Sequence, residues 1–89
     1  MNPYVSSVRP LEDYRLEVLF ENGERRIFDA RPYLYRGVFM RLQNRALFEA
    51  ATVVAGSVEW PGGLDLSDDT LYVESRSIAE TAATEPAHA

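Results

Sequence analysis

The feature that most constrains this chain is an Asn-Gly pair set between two runs of strand-forming residues. Tyr14 to Phe20 alternates apolar and polar side chains, Asn22 and Gly23 follow, and Arg25 to Phe28 returns. Asn-Gly is the preferred pair for a two-residue type I′ turn, in which both residues take φ > 0. With those two as the turn, Glu21 lies opposite Glu24 and Val18 opposite Ile27. Tyr14, Leu16, Val18, Phe20 and Ile27 then share one face, which a hairpin would turn toward a core. Residues 5–11 supply a preceding strand against the same hairpin.

The period changes after the hairpin. Asp29 is placed to cap a short helical turn with Pro32 in its first turn, and Gly37 interrupts it. A second short helical stretch starts near Asn44 and carries Ala46, Leu47 and Phe48. Residues 51–55 and 58–60 read as two strands joined at Gly56 and Ser57, and Pro61-Gly62-Gly63 ends that sheet. Ser67 ahead of Asp68 and Asp69 reads as a helix N-cap with acids in the first turn, where the helix dipole favours them. The expected architecture is α+β: a small antiparallel sheet built on an N-terminal hairpin, a second short strand pair, and two or three short helices. Residues 1–76 make one domain, and residues 77–89, rich in Ala, Thr and Glu, are expected to form a frayed tail.

Composition removes several function classes. With 46% hydrophobic and 11% aromatic residues, the 89-residue chain has the make-up of one globular domain. It has no cysteine, so disulfides and thiolate metal sites are excluded. No run approaches the roughly 20 apolar residues of a membrane span, and a cytoplasmic protein is expected. Every basic residue is Arg: residues 1–45 carry eight against six acids, a net of +2, while residues 46–89 carry Arg76 against eight acids, a net of −7.

The sole histidine, His88, lies in the tail, without the rigid shell that a catalytic base or metal ligand needs. Asp65, Asp68 and Asp69 form the densest acidic group, but their spacing does not match a calcium loop, and turn and helix-start roles account for them. The carboxylates Asp29, Asp65 and Asp69 would have to serve any enzyme, and nothing in the sequence draws two of them together. No catalytic residue, metal or cofactor is expected. Recognition is the remaining class. No acid occurs between residues 30 and 48, where Arg31, Arg36, Arg41 and Arg45 alternate with Tyr33, Tyr35 and Phe39. Arg with interleaved aromatics suits an acidic protein surface or a phosphate backbone, and a solvated connecting segment with inward-facing aromatics is the structural alternative. Trp60 beside Pro61-Gly62-Gly63 is either an interface anchor or a core cap.

The order of landmarks then becomes informative: Val8 to Leu11, Tyr14 to Phe20, Asn22-Gly23-Glu24, Phe28-Asp29, Phe39 to Leu42, Phe48, Trp60 to Leu66, and Asp69 to Tyr72. Over residues 5 to about 75 this resembles the small bacterial family catalogued as domain of unknown function 2442. Trp60-Pro61 with Gly63 and Asp65, followed by Asp69, Leu71 and Tyr72, is the most specific part. The resemblance implies an α+β domain that occurs alone or ahead of a helix-turn-helix, often encoded beside another small protein in an arrangement like a toxin–antitoxin pair. A stand-alone domain without a helix-turn-helix is expected here, since few residues follow residue 76, and the family offers no catalytic residues to carry over. The functional expectation is a non-catalytic protein-interaction module, antitoxin-like or a regulatory partner of a small neighbouring protein. Its candidate contacts are Arg31, Arg36, Arg41, Arg45, Tyr33, Tyr35 and Trp60. The alternative is a nucleic-acid-binding regulator using residues 31–45, which the net charge of −5 disfavours. A homodimer is compatible with either, since short hairpins expose strand edges.

Overall fold

A computed structural model describes residues 2–78. His88 and nearly all of the expected tail lie outside the described residues. Among the described residues, seven strands form two antiparallel sheets, with short helices between strands. The first sheet has the order β1-β2-β3-β7, with β1 Val5–Leu11, β2 Arg15–Phe20, β3 Arg25–Asp29 and β7 Arg76–Ser77. The second has the order β4-β5-β6, with β4 Thr52–Val54, β5 Ser57–Trp60 and β6 Leu64–Leu66. The α+β class and the N-terminal hairpin are as the sequence predicts.

The hairpin register differs by one residue from the expected one. Val18 pairs with Arg26 and Leu16 with Phe28, so the loop is Glu21-Asn22-Gly23. The Gly23 N–H donates to the Phe20 carbonyl at 2.9 Å, and the Phe20 N–H donates to Glu24 at 2.9 Å. Gly23 has φ +90, whereas Asn22 is not among the residues with positive φ. This is the three-residue hairpin, a tight turn followed by a glycine in the left-handed region. Side chains alternate with period two, so the slip changes which β3 residue faces inward. Phe28 is buried with Leu16, Val18 and Phe20, and Ile27 moves to the opposite face. The two-residue turn occurs instead at Ala55-Gly56, where φ is +50 and +82 and Val54 pairs with Ser57.

Pro61-Gly62-Gly63 does not end the second sheet. It reverses the chain so that Leu64 pairs with Trp60 and Leu66 with Val58, adding a third strand. The burial alternation shows why this strand forms: Leu64 and Leu66 point inward beside Val58 and Trp60, while Asp65 remains exposed. Burying side chains of this size contributes roughly 2 kcal/mol each, which offsets the ordering cost of a short strand.

Helix α1, Arg45–Phe48, begins where Asn44 accepts from the N–H groups of Ala46 and Leu47. Helix α2, Asp68–Glu74, begins where the Ser67 hydroxyl accepts from Thr70 N–H. Both caps satisfy donors that a helix start leaves unpaired. Phe48 from α1 and Leu71 from α2 join both sheets in one core. The Val5 N–H donates to the Gly56 carbonyl at 2.8 Å, joining the edge of the first sheet to the turn of the second. Ser77, expected at the start of the tail, pairs with Arg26 in the first sheet.

Candidate functional site

The Arg-rich stretch is a chain of tight turns packed against the first sheet. A 3-10 helix spans Arg31–Tyr35, with Pro32 in its first turn and Ala30, not Asp29, at the N-cap position. Asp29 nevertheless accepts from the Arg31 N–H at 3.0 Å. A second 3-10 helix spans Gly37–Gln43, so Gly37, with φ +47, joins two helical turns and does not end the helical region. Leu34 and Leu42 anchor this stretch in the core. Tyr33 packs on Phe28, with ring centres 5.6 Å apart, and Phe39 meets Tyr33 edge-on at 5.5 Å.

The seven sequence-derived candidates separate into distinct environments. Trp60 is only 3% exposed, and its indole N–H donates to the Phe48 carbonyl at 2.9 Å, so it caps the core and reaches no surface. Arg45 is also structural: it donates to Glu49 and to the Leu11 carbonyl, both at 2.8 Å, and covers the rings of Tyr14 and Phe48. Arg31 is exposed but held by both oxygens of Asp29 at 2.9 Å. That pairing keeps the Asp29 carboxyl below the usual carboxylate range. The Tyr33 hydroxyl donates to Glu74 at 2.7 Å, and burial and that contact together raise its pKa.

Tyr35, Arg36 and Arg41 remain on the surface. Tyr35 is 79% exposed. Arg36 lies 4.7 Å over the Tyr33 ring, and Arg41 reaches the Gly62 carbonyl at 3.4 Å. Among the described residues neither guanidinium pairs with a carboxylate. Two residues that sequence reasoning passed over lie beside them in the chain: Val38 and Met40 are 63% and 52% exposed. The apolar run Val38-Phe39-Met40 does not itself show which side chains face out, although helical spacing sets Phe39 and Leu42 on one face and Val38 and Met40 to either side of it. The tight 3-10 winding puts Phe39 and Leu42 inward and turns Val38 and Met40 out.

A cleft of about 200 Å³ opens elsewhere, lined by Arg15, Ile27, Asp29, Glu74 and Arg76. Asp65, Asp68 and Asp69 lie on β6 and the first turn of α2, and Asp69 accepts from the Asn2 amide at 2.9 Å. Among the described residues no cluster of three or more His, Cys, Asp or Glu could hold a metal ion. Nor is any described helix long and apolar enough to cross a membrane.

Residues 5–77 match the family described as Protein of unknown function (DUF2442), over most of the chain. The chain belongs to that family. No curated protein and no solved structure matches it. DUF2442 membership therefore coincides with the two-sheet body from β1 to β7, and the Arg-rich connector between β3 and α1 is part of the domain itself.

Proposed function

We propose that this DUF2442 domain is a non-catalytic protein-interaction module, acting in the cytoplasm as an antitoxin-like or regulatory partner of a small protein encoded beside it. One observation carries the reading. Among the described residues, three of the six exposed large apolar residues, Tyr35, Val38 and Met40, fall within a single six-residue stretch that also contains Arg36. Isolated exposed apolar residues are ordinary on any surface, whereas their concentration in one segment marks a contact surface. Tyr, Met and Arg are the types enriched at the centres of protein interfaces. Arg36 and Arg41, unpaired with carboxylates among the described residues, suit an acidic partner.

The test is co-expression with the product of the neighbouring reading frame, followed by affinity capture. A stoichiometric complex supports the reading, and no complex at micromolar concentration counts against it. Nucleic-acid binding through residues 31–45 is the weaker alternative, because Arg31 and Arg45 are committed to carboxylates and the two arginines without a carboxylate partner, Arg36 and Arg41, make few phosphate contacts. Affinity for a duplex that fell steeply with salt would favour it.

A further inference from the structure

The outer face of the first sheet carries rows of charge set by strand register. Leu11, Arg15 and Asp29 form one cross-strand row, and Arg9, Glu17, Ile27 and Arg76 form the next. Both rows lie opposite the buried face of Leu16, Val18 and Phe28. Most of these charges are mutually satisfied. Glu17 accepts from Arg9 at 3.0 Å and from Arg25 at 3.3 Å. Both oxygens of Asp29 are held by Arg31, and Glu74 is held by the Tyr33 hydroxyl.

Arg15, which acts on its cross-strand neighbour Asp29 through charge without a hydrogen bond, and Arg76 are the exceptions. Both line the 200 Å³ cleft, and among the described residues neither guanidinium has a hydrogen-bonded acceptor. The Nε of Arg15 is buried and unpartnered. A buried donor on a charged group without an acceptor is costly, and structures ordinarily supply one. The acids of the cleft wall, Asp29 and Glu74, are already engaged with other donors. The cleft is also smaller than the roughly 300 Å³ or more of a typical small-molecule pocket, so it suits one functional group and not a large ligand.

We propose that this cleft binds a single oxyanion group, carboxylate or phosphate, clamped between the guanidinium groups of Arg15 and Arg76 with Ile27 beneath it. Each planar fork can present two parallel N–H donors to such a group. The flanking Asp29 and Glu74 disfavour a doubly charged ligand by like-charge repulsion, so a carboxylate is preferred to phosphate. The site is separate from the connector surface, and its test does not depend on any protein partner.

The experiment follows the Arg Nε–H resonances of the full-length ¹⁵N-labelled chain during titration with sodium acetate, sodium phosphate and, at matched ionic strength, sodium chloride. Acetate should shift the Arg15 Nε–H signal saturably with Kd of about 1–10 mM, the scale of one small charge-assisted contact set. Arg76→Gln, at an exposed position, should weaken this by about tenfold. Arg9→Gln, in the neighbouring ion cluster, should leave it unchanged. Saturation by acetate assigns a carboxylate, and saturation by phosphate alone assigns a phosphate; either upholds the clamp. Equal shifts with chloride, or an acetate affinity untouched by Arg76→Gln, overturn it.

Discussion

Arg26 lies with its guanidinium 4.5 Å from the centre of the Tyr72 ring, joining the hairpin to the end of α2. The same fork donates to the Ser75 hydroxyl and carbonyl, both at 2.7 Å, and to Glu24 at 3.0 Å. Tyr72 in turn donates its hydroxyl to Glu24, and Ser75 donates to the Tyr72 carbonyl at 3.0 Å. Arg26 thereby fixes the exit of α2 where β7 must pair with β3. Replacing Arg26 by Ala should lower unfolding stability by about 2 kcal/mol in urea titration, the scale of hydrogen bonds to a charged group. Arg26→Lys should recover little, because an ammonium cannot reach three acceptors as a planar fork does. Full recovery with Lys would show that charge, not geometry, matters there.

Gly56 offers a second test. It has φ +82, and an added Cβ would fall 2.8 Å from atoms of Tyr4. Gly23 has φ +90 but open space around it. Gly23→Ala should therefore cost about 1 kcal/mol from backbone strain alone. Gly56→Ala should cost more, since the crowded Tyr4 adjoins the Val5 N–H to Gly56 carbonyl bond that joins the two sheets. Equal losses in thermal melts would show that the Tyr4 contact yields freely.

Trp60→Phe separates the core role of this residue from recognition. It removes the donor to the Phe48 carbonyl and some packing volume, so a loss of at least about 1 kcal/mol is expected. Partner affinity of the still-folded fraction should not change. A variant with wild-type stability and weakened binding would contradict the core assignment.

For the contact surface, Arg36→Glu with Arg41→Glu should weaken capture of an acidic partner by about tenfold or more through charge reversal, with little effect on folding. Tyr35→Ala should weaken it as well, because aromatic anchors dominate interface energetics. Undiminished binding in both variants, measured by titration calorimetry, would move the interface elsewhere.

Acid and alkaline stability should fall for different reasons. Glu17, Glu24 and Asp29 are held below their usual carboxylate range, chiefly by hydrogen bonds from Arg9, Tyr72 and Arg31 respectively. A depressed folded pKa contributes stability above the unfolded value of about 4 and loses it as the pH falls through the folded value. Tyr33 is raised chiefly by burial and Tyr72 chiefly by its bond to Glu24. Their contribution is present below about pH 10 and is lost as the pH rises through the raised values. Melting temperature should thus be level near neutrality and decline on both sides. Glu17→Gln combined with Asp29→Asn should flatten the acid decline, and an unaltered acid limb would assign it to other groups.

Much of the local structure was legible in the residue order. Alternation from Tyr14 to Phe20 identifies β2, Asn44 and Ser67 mark the starts of α1 and α2, and the paired strands expected over residues 51–55 and 58–60 form over Thr52–Val54 and Ser57–Trp60. The register was not legible, because Asn22-Gly23 fits both a two-residue and a three-residue loop. Burial of Phe28 in place of Ile27 selects the latter. Of the surface candidates, Tyr35, Arg36 and Arg41 kept open positions, while Trp60 and Arg45 turned inward for contacts that no short window contains.

By itself, the sequence determined the hairpin strands, the β4–β5 pair, the caps of α1 and α2, the absence of cysteine and the Arg-rich connector, all of which depend on residue type and on neighbours a few positions away. Only the tertiary structure decided which arginines stay free and that Arg15 and Arg76 line one cleft. That meeting requires β7 to return to β3, held by Arg26 and Ser75 across 49 residues of chain. Loop closure over such a distance is settled by the packing of the whole core, where the alternatives differ by buried area and unpaired donors and not by local preference.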